Sequence, residues 1–427
     1  MTRRQWLGGG LLVLACAAGL VALSPERAVR PIGVVGPVAV PAPPPPDRLT
    51  AAREAARLRS EDPAAWSEVG LAAVEQARTS LDATRLDLAE RALARSLELR
   101  PEANYDAVVG FGALANARHE FGAARDHGLR ATAMAPERAS AYAVLADAEL
   151  ELGHYPEATA ATQRLLDLAP NAAALVRAAQ DLQTHGRREE AVLALERALE
   201  AAGPAGERAF CARRLGDLAW EEGRFAEADG HYRQALAARP DDAQAAFGLA
   251  RTAAAEGRTE EAARRLAELT ARAPLPQFLL EQAELALATG HRAEAEGPLA
   301  ALAAEARLAV GPADLHLARY LADHGDADEA VRQLTEEWER RTSTPVAAEL
   351  AWALHRAGDD RSALRHARFV AESGGESVLA GYHRGVIELA LGLPEGRQTL
   401  RAALDRNPRF SAYHADRARR LLTEGER

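Results

Sequence analysis

Lysine is absent from this 427-residue chain, so every one of its 52 basic side chains is arginine. No Gly-Lys phosphate loop can therefore exist. Also missing are a His-Glu-x-x-His zinc-protease motif, a Cys-x-x-Cys pair and a nucleophile elbow, which removes the common routes to hydrolysis and redox chemistry. Cysteine is scarce: Cys16 lies in an N-terminal apolar run and Cys211 stands alone, so the mature part has no intrachain disulfide framework. Aromatic residues make up only 5% of the chain against 48% hydrophobic residues, with Ala very abundant. That mixture favours closely approaching helices over an aromatic core or a sheet, and the expected class is all-α. The net charge is −10 with acids and arginines interleaved, so there is no basic stripe for a phosphate backbone, and nucleic acid is excluded as a partner.

The twelve histidines are scattered. His119 and His127, like His316 and His324, stand eight apart, an offset of about 80° round a helix, and each pair spans a turn. His383 and His414 each follow a Tyr and stand where adjacent helices can bring them together. Adjacent acids such as Glu189-Glu190 and Glu221-Glu222 face different ways on a helix and read as solvated faces or helix ends. No catalytic residue, cofactor or metal is expected, and the chain reads as a non-enzyme.

No composition shift marks a domain boundary after residue 50, so one elongated body is expected. Before it, residues 1–24 read as a signal sequence or membrane anchor: Arg3 and Arg4 precede an uncharged apolar segment from Trp6 to Leu23. Thr2-Arg3-Arg4-Gln5-Trp6-Leu7 resembles a twin-arginine export signal, and Val13-Leu14-Ala15-Cys16 faintly resembles a lipoprotein cleavage box. Residues 25–47 form a linker in which Pro31 to Pro46 hold seven prolines, an extended spacer of roughly 50 Å at ~3.1 Å per residue. The expected location is extracytoplasmic, tethered to the cytoplasmic membrane, with secretion after cleavage as the alternative. Arg usage together with abundant Ala, Gly and Pro resembles the codon bias of a G+C-rich bacterial genome.

Residues 48–408 repeat. Ala89, Ala124, Ala158, Ala191, Ala228, Ala262, Ala295, Ala330, Ala363 and Gly396 follow one another at spacings of 33 to 37. About twelve residues before them come Gly112, Ala146, Ala179, Gly216, Ala250, Ala283, Ala318, Ala351 and Gly385, and Gly70 fills this place in the first repeat. A side chain larger than a methyl at either position would force the two helices of a hairpin apart. Gly153, Gly186, Gly223, Gly257, Gly290, Gly325, Gly358 and Gly392 fall between the two, where each ends the first helix and turns the chain. Pro101, Pro136, Pro170, Pro240, Pro274 and Pro408 punctuate repeat ends. Extra length is expected near Thr79 to Arg85 and as a loop at Gly203-Pro204-Ala205-Gly206. Asp62-Pro63 supplies the first cap, and residues 409–427 read as a polar capping helix.

Leu215-Gly216, Gly223, Phe225, Ala228, Tyr232, Ala235-Leu236 and Pro240 closely resemble the tetratricopeptide repeat consensus, and the resemblance extends over about residues 62–408. It implies a right-handed superhelical solenoid of about ten antiparallel helix hairpins. In that family the first helices line a concave groove that receives an extended peptide or a partner's helix. Carried onto this chain, the groove residues are Arg213, Asp217, Trp220, Phe247, Arg251, Arg319, Trp352, His355 and Tyr382. Asn116, Asp147, Gln180 and Glu284 fall at equivalent places. Trp220 and Phe247, flanked by Arg213 and Arg251, have the composition of an interface anchor. The other reading of Trp220 is packing between neighbouring repeats. Trp66 and Trp338 fall at packing positions. The Asn and basic pattern by which some family members clamp a C-terminal carboxylate is missing, since Arg213 is followed by Asp217. The implied function is a scaffold for a partner polypeptide in envelope assembly, secretion or complex maturation, with a self-associating structural protein as the rival and a metal-handling accessory protein as a further alternative. Replacing Arg213 and Arg251 by Glu is expected to abolish capture while helicity is retained.

Overall fold

The computed structural model describes residues 47–80, 82, 84–309 and 311–424. The segment read as a signal or anchor and the proline-rich spacer, apart from Asp47, lie outside the described residues. Asp47 caps the opening helix, α1 (Arg48–Leu58), through its carboxylate on the Thr50 amide. Four hairpins follow: α2 (Pro63–Ser80) with α3 (Thr84–Leu99), α4 (Tyr105–Ala117) with α5 (Phe121–Met134), α6 (Ala139–Leu152) with α7 (Tyr155–Leu168), and α8 (Ala172–Thr184) with α9 (Arg188–Ala201). Three more pair α10 (Ala205–Glu221) with α11 (Phe225–Ala238), α12 (Ala243–Ala255) with α13 (Thr259–Arg272), and α14 (Pro276–Ala288) with α15 (Arg292–Leu308). The last three pair α16 (Leu315–His324) with α17 (Ala327–Arg340), α18 (Thr344–Arg356) with α19 (Asp360–Glu372), and α20 (Val378–Ala390) with α21 (Glu395–Arg406). A final helix, α22 (Ala415–Glu424), ends the described chain. Among the described residues there is no strand, and no helix is long and apolar enough to cross a membrane.

All twenty small residues of the repeat register are buried. The reason is visible at the glycines. A methyl on Gly112 would stand 2.6 Å from the Val144 side chain, and one on Gly216 would stand 2.7 Å from the Tyr232 ring. Helices approach there as closely as backbone permits. Two details depart from the sequence reading. Ala205 and Gly206 belong to the first turn of α10 and not to a loop, and α2 lengthens by continuing as helix to Ser80. Of the eight turn glycines, seven adopt positive φ, but Gly325 has φ −124° where α16 runs up to His324 and Asp326 caps the next helix directly. In the second hairpin, which has no glycine at the turn, His119 takes φ 60° and stacks on Phe121.

First helices also pack on first helices, α2 on α4, α4 on α6, and α16 on α18 on α20, whereas no successive second helices share comparable contact. The array therefore curls with its first helices inside. The curl is tight enough to close. Six hairpins on from the α6–α7 turn, the α17–α18 connection meets it: the Thr342 amide donates to the Leu152 carbonyl at 3.1 Å, the Thr344 amide donates to the Tyr155 hydroxyl at 2.7 Å, and Arg341 pairs with Glu151 at 2.8 Å. One repeat later Arg188, opening α9, donates to the Glu376 carbonyl at 2.9 Å, with Gly186 against Gly374. After one more repeat the Asn407 amide donates to the Trp220 carbonyl at 2.7 Å.

This seam makes a matched test. Gly153 and Gly290 both have φ +84°, but a methyl on Gly153 would overlap the Thr342 carbonyl whereas one on Gly290 meets nothing within 4 Å. Gly290→Ala is expected to cost about 1–2 kcal/mol from its left-handed backbone alone. Gly153→Ala should cost at least ~1 kcal/mol more, because the seam must open to admit the methyl. Thermal and urea midpoints of the two variants check this; equal losses would mean that the seam gives way freely.

Candidate functional site

The closed curl decides what becomes of the inner face. Between Arg406 and α22 the chain turns inward and runs over the first helices of the later hairpins. Asn407, Phe410, His414, Ala415 and Ala418 are all buried in the process. Phe410 seats 5.3 Å from the Tyr382 ring, centroid to centroid, and His414 lies 5.2 Å from the same ring. Polar groups of the segment reach helix ends: Arg409 donates to the Ala255 carbonyl at 2.5 Å, and Arg406 pairs with Glu222 at 2.9 Å. Both acceptors sit at a first-helix C-terminus, one a carboxylate and the other, on Ala255, a backbone carbonyl of the last turn that lacks an intrahelical partner.

Of the nine groove residues read from the sequence, the structure gathers five around this interior. Trp220, Trp352 and Tyr382 are at most 5% exposed and belong to one apolar cluster with Phe410 and Ala415. They are not open anchors, because the chain's own C-terminal segment covers them. Arg251 lies flat on the Trp220 ring, 3.3 Å from its centre, and faces Glu281 at 3.9 Å. Arg319 forms a two-pronged pair with Glu349. Replacing Arg251 by Glu thus removes a packed cation–π contact and leaves a carboxylate against an indole. The double Arg213, Arg251 change tests folding as much as capture.

The other four lie at its edge: the His355 ring stands 5.1 Å from Trp352 and Arg251 also reaches the Phe247 ring at 5.6 Å, while Arg213 and Asp217 are engaged elsewhere. Arg213 donates to Asp217 at 2.9 Å, and Asp217 also accepts the Tyr232 hydroxyl at 3.0 Å, so both serve the α10–α11 contact. Phe247 packs 4.9 Å from Phe278, and His355 pairs with Asp360 at 2.6 Å. Trp66 and Trp338 are half-buried packing residues: Trp66 donates to the Ser60 carbonyl at 2.8 Å, and Trp338 meets Phe369 edge-on at 5.3 Å. The tail read as a solvating cap is amphipathic in effect, with Ala415 and Ala418 inside and Asp416, Arg419 and Arg420 outside.

Several interior groups were not among the sequence candidates. Asp323 accepts the Trp352 indole N–H at 3.1 Å, and its side chain is wholly enclosed. His383 stacks on Trp352 at 4.0 Å and 9°, and the His414 ring meets it edge-on at 5.9 Å, so the two Tyr-His pairs do converge. A cavity of about 200 Å³ adjoins them, lined by Trp220, Arg251, Glu284, Arg319, Phe410 and His414 among others. Burial disfavours ionised Asp323, yet His414, His383 and Arg356 outweigh it and hold the carboxyl well below its usual range. Burial, reinforced by His414, pushes His383 well below the ordinary 6.5, and burial lifts the Tyr382 phenol to about 12. Cys211 is buried and free, its thiol raised to about 11 by burial, which makes it a packing residue and no nucleophile.

The earlier half of the inner face is polar and not covered by the C-terminal segment, though Gln180 and Gln183 line a cavity of about 150 Å³ that Thr344, Pro345 and Gly375 of the seam help to close. Arg177 holds Asp147 with both prongs at 2.7 and 2.8 Å, and Arg214 donates to Gln180 and Gln183. These side chains of α6, α8 and α10 form a half-exposed ladder across three repeats.

His383 carries a pH test. In the unfolded chain it takes up a proton as pH falls through 6.5, while the fold keeps it neutral. Below that point the unfolded state binds more protons, so stability falls with pH, by up to about 1.4 kcal/mol per unit for this one group. His383→Phe keeps a ring on Trp352 and should flatten that part of the slope between pH 6.5 and 5 in urea titrations. A variant slope equal to the parent's would show that His383 is already protonated in the fold.

Residues 219–280 match the tetratricopeptide repeat family model. A search of the curated proteins finds no match. Among solved structures, a thermophilic repeat protein of Thermus thermophilus is similar at 21% identity over 44% of this chain and 98% of its own, TM-score 0.38. PilF of Pseudomonas aeruginosa is similar at 22% over 52% and 99%, TM-score 0.40. Yeast Tom70 is similar at 12% over 88% and 91%, TM-score 0.39. With ten hairpins on one small-residue register and the matched segment among them, the described residues form an all-α helical-repeat array of the tetratricopeptide type.

Proposed function

We propose that this protein is a non-enzymatic scaffold that holds an extended partner polypeptide along the inner face of its solenoid. One observation supports the reading above the others: the inner face already accepts a non-helical stretch of polypeptide, its own turn-rich segment Asn407–His414, through an aromatic anchor at Phe410 and donors on helix-end carbonyls. A partner would use the same means on the half-buried polar ladder of Asp147, Arg177, Gln180, Gln183 and Arg214, with Arg213 at its edge. Self-association has a specific route, in which one copy's C-terminal segment seats in another's groove.

The finer reading is that the body is exported and held off the cytoplasmic membrane, serving envelope assembly, secretion or complex maturation. It rests on Arg3, Arg4, the apolar Trp6 to Leu23 and the proline spacer.

A photoreactive residue placed at Gln183 should form a covalent adduct with a discrete polypeptide in the native host. The same residue at the outward-facing Glu260 on α13 should not. Adducts only at Glu260, or equal at both, would move the site off the inner face. Light scattering of the purified chain separates the monomeric scaffold from the self-associating form.

A further inference from the structure

Inside the curl, Glu284 from α14, Asp323 from α16 and His414 from the C-terminal segment each offer a ligand atom, and these atoms lie within 4.8 Å of one another. All three side chains are at least nine-tenths buried. Among buried side-chain atoms without a hydrogen-bond partner are Asp323 Oδ2 and both ring nitrogens of His414. His414 Nε2 and Asp323 Oδ2 face each other at 3.4 Å, too far for a well-formed hydrogen bond. Such atoms are costly to leave bare, so Asp323 Oδ2 and the His414 nitrogen that faces it call for a common partner. We infer that Glu284, Asp323 and His414 form a site for a first-row divalent transition-metal ion, of which zinc is the natural probe.

The chemistry of the donors fits. Two carboxylates and one imidazole suit a borderline ion, while a site for calcium or magnesium would be built from oxygen alone. An ion at the centre of a triangle with edges of 4.8 Å lies about 2.8 Å from each corner, so ligands need move inward by less than about 1 Å to reach bonding distance. The adjoining cavity of about 200 Å³ has room for water as a further ligand.

The surroundings hold the donors as outer partners hold metal ligands. Trp352 Nε1 donates to Asp323 Oδ1 at 3.1 Å and Arg356 stands 3.4 Å from the same oxygen, which leaves Oδ2 turned to the site. The His414 amide donates to Ser411 Oγ at 3.1 Å and its ring is bracketed by Tyr382 and Tyr413. Charge points the same way. Arg319 stands against Glu349, Arg251 against Glu281 and Arg356 against Asp323, whereas Glu284 is paired with the imidazole of His324, at 3.4 Å, and feels Arg319 only as a more distant charge that Glu349 already engages. A cation completes the balance. Because His414 arrives on the segment that fills the groove, the ion would fasten that segment to the seventh and eighth hairpins.

Zinc added to the full-length chain after chelator treatment and removal of any affinity tag should bind one to one in calorimetric titration. Asp323→Asn and His414→Gln, which keep shape and hydrogen-bonding capacity, should weaken it by more than about 100-fold. His185→Gln, at an exposed turn, should leave it unchanged. Protease cleavage between residues 407 and 414 should slow when zinc is present. Absence of one-to-one binding, or the same affinity in both ligand variants, overturns the site. If those variants do not fold, cobalt in the parent decides: a visible absorption band of nitrogen and oxygen ligation with a raised melting temperature supports the site, and neither band nor rise refutes it.

Discussion

The whole architecture depends on how closely two helices can approach at a small residue. Tyr232 shows the limit: its ring is fully enclosed between Gly216 and Gly248, and a methyl on either glycine would intrude on it. Where first helices come this close to one another and second helices do not, each hairpin is rotated on its predecessor and the array curls. Six hairpins of curl bring Leu152 to Thr342 and Trp220 to Asn407. A constraint on the scale of one methyl group thus sets the radius of the solenoid, and the radius decides whether its inner face is a groove or an interior.

That chain of consequence explains what could be read from sequence. The hairpins were legible because each is local and the small-residue register recurs ten times, so every repeat supports the others. The second hairpin's turn was not, because His119 does there what glycine does elsewhere, held by its stack on Phe121. Five of the nine residues read as groove-lining, Trp220, Arg251, Arg319, Trp352 and Tyr382, do gather in the interior. Their burial was not legible: nothing within a 34-residue window distinguishes a Trp220 open to a groove from one covered by residues nearly 190 positions later. Asn407-Pro408 has the look of one more repeat end, and only closure turns Asn407 into a cap on α10. The convergence of His383 with His414 could be named from the two Tyr-His pairs, but Asp323 and Glu284 join them through three separate parts of the chain.

The later and earlier halves of the inner face obey one polar logic. An interior closed by its own chain could have been sealed with leucines, and buried ion pairs such as Arg319 with Glu349 are no more stable than such a seal. What charged groups add is discrimination, since a displaced partner leaves them unpaired at a cost apolar surfaces do not impose. In the closed half the match is made by Arg406, Asn407 and Arg409 on particular acids and carbonyls. In the earlier half side chains of α6, α8 and α10 satisfy one another, Arg177 with Asp147 and Arg214 with Gln180 and Gln183. A ligand entering there must exchange those bonds for its own, so its affinity depends on how well its polar groups replace the ones it breaks and little on the area it covers. The solenoid supplies curvature and reach, while selectivity resides in a short series of hydrogen bonds across three first helices.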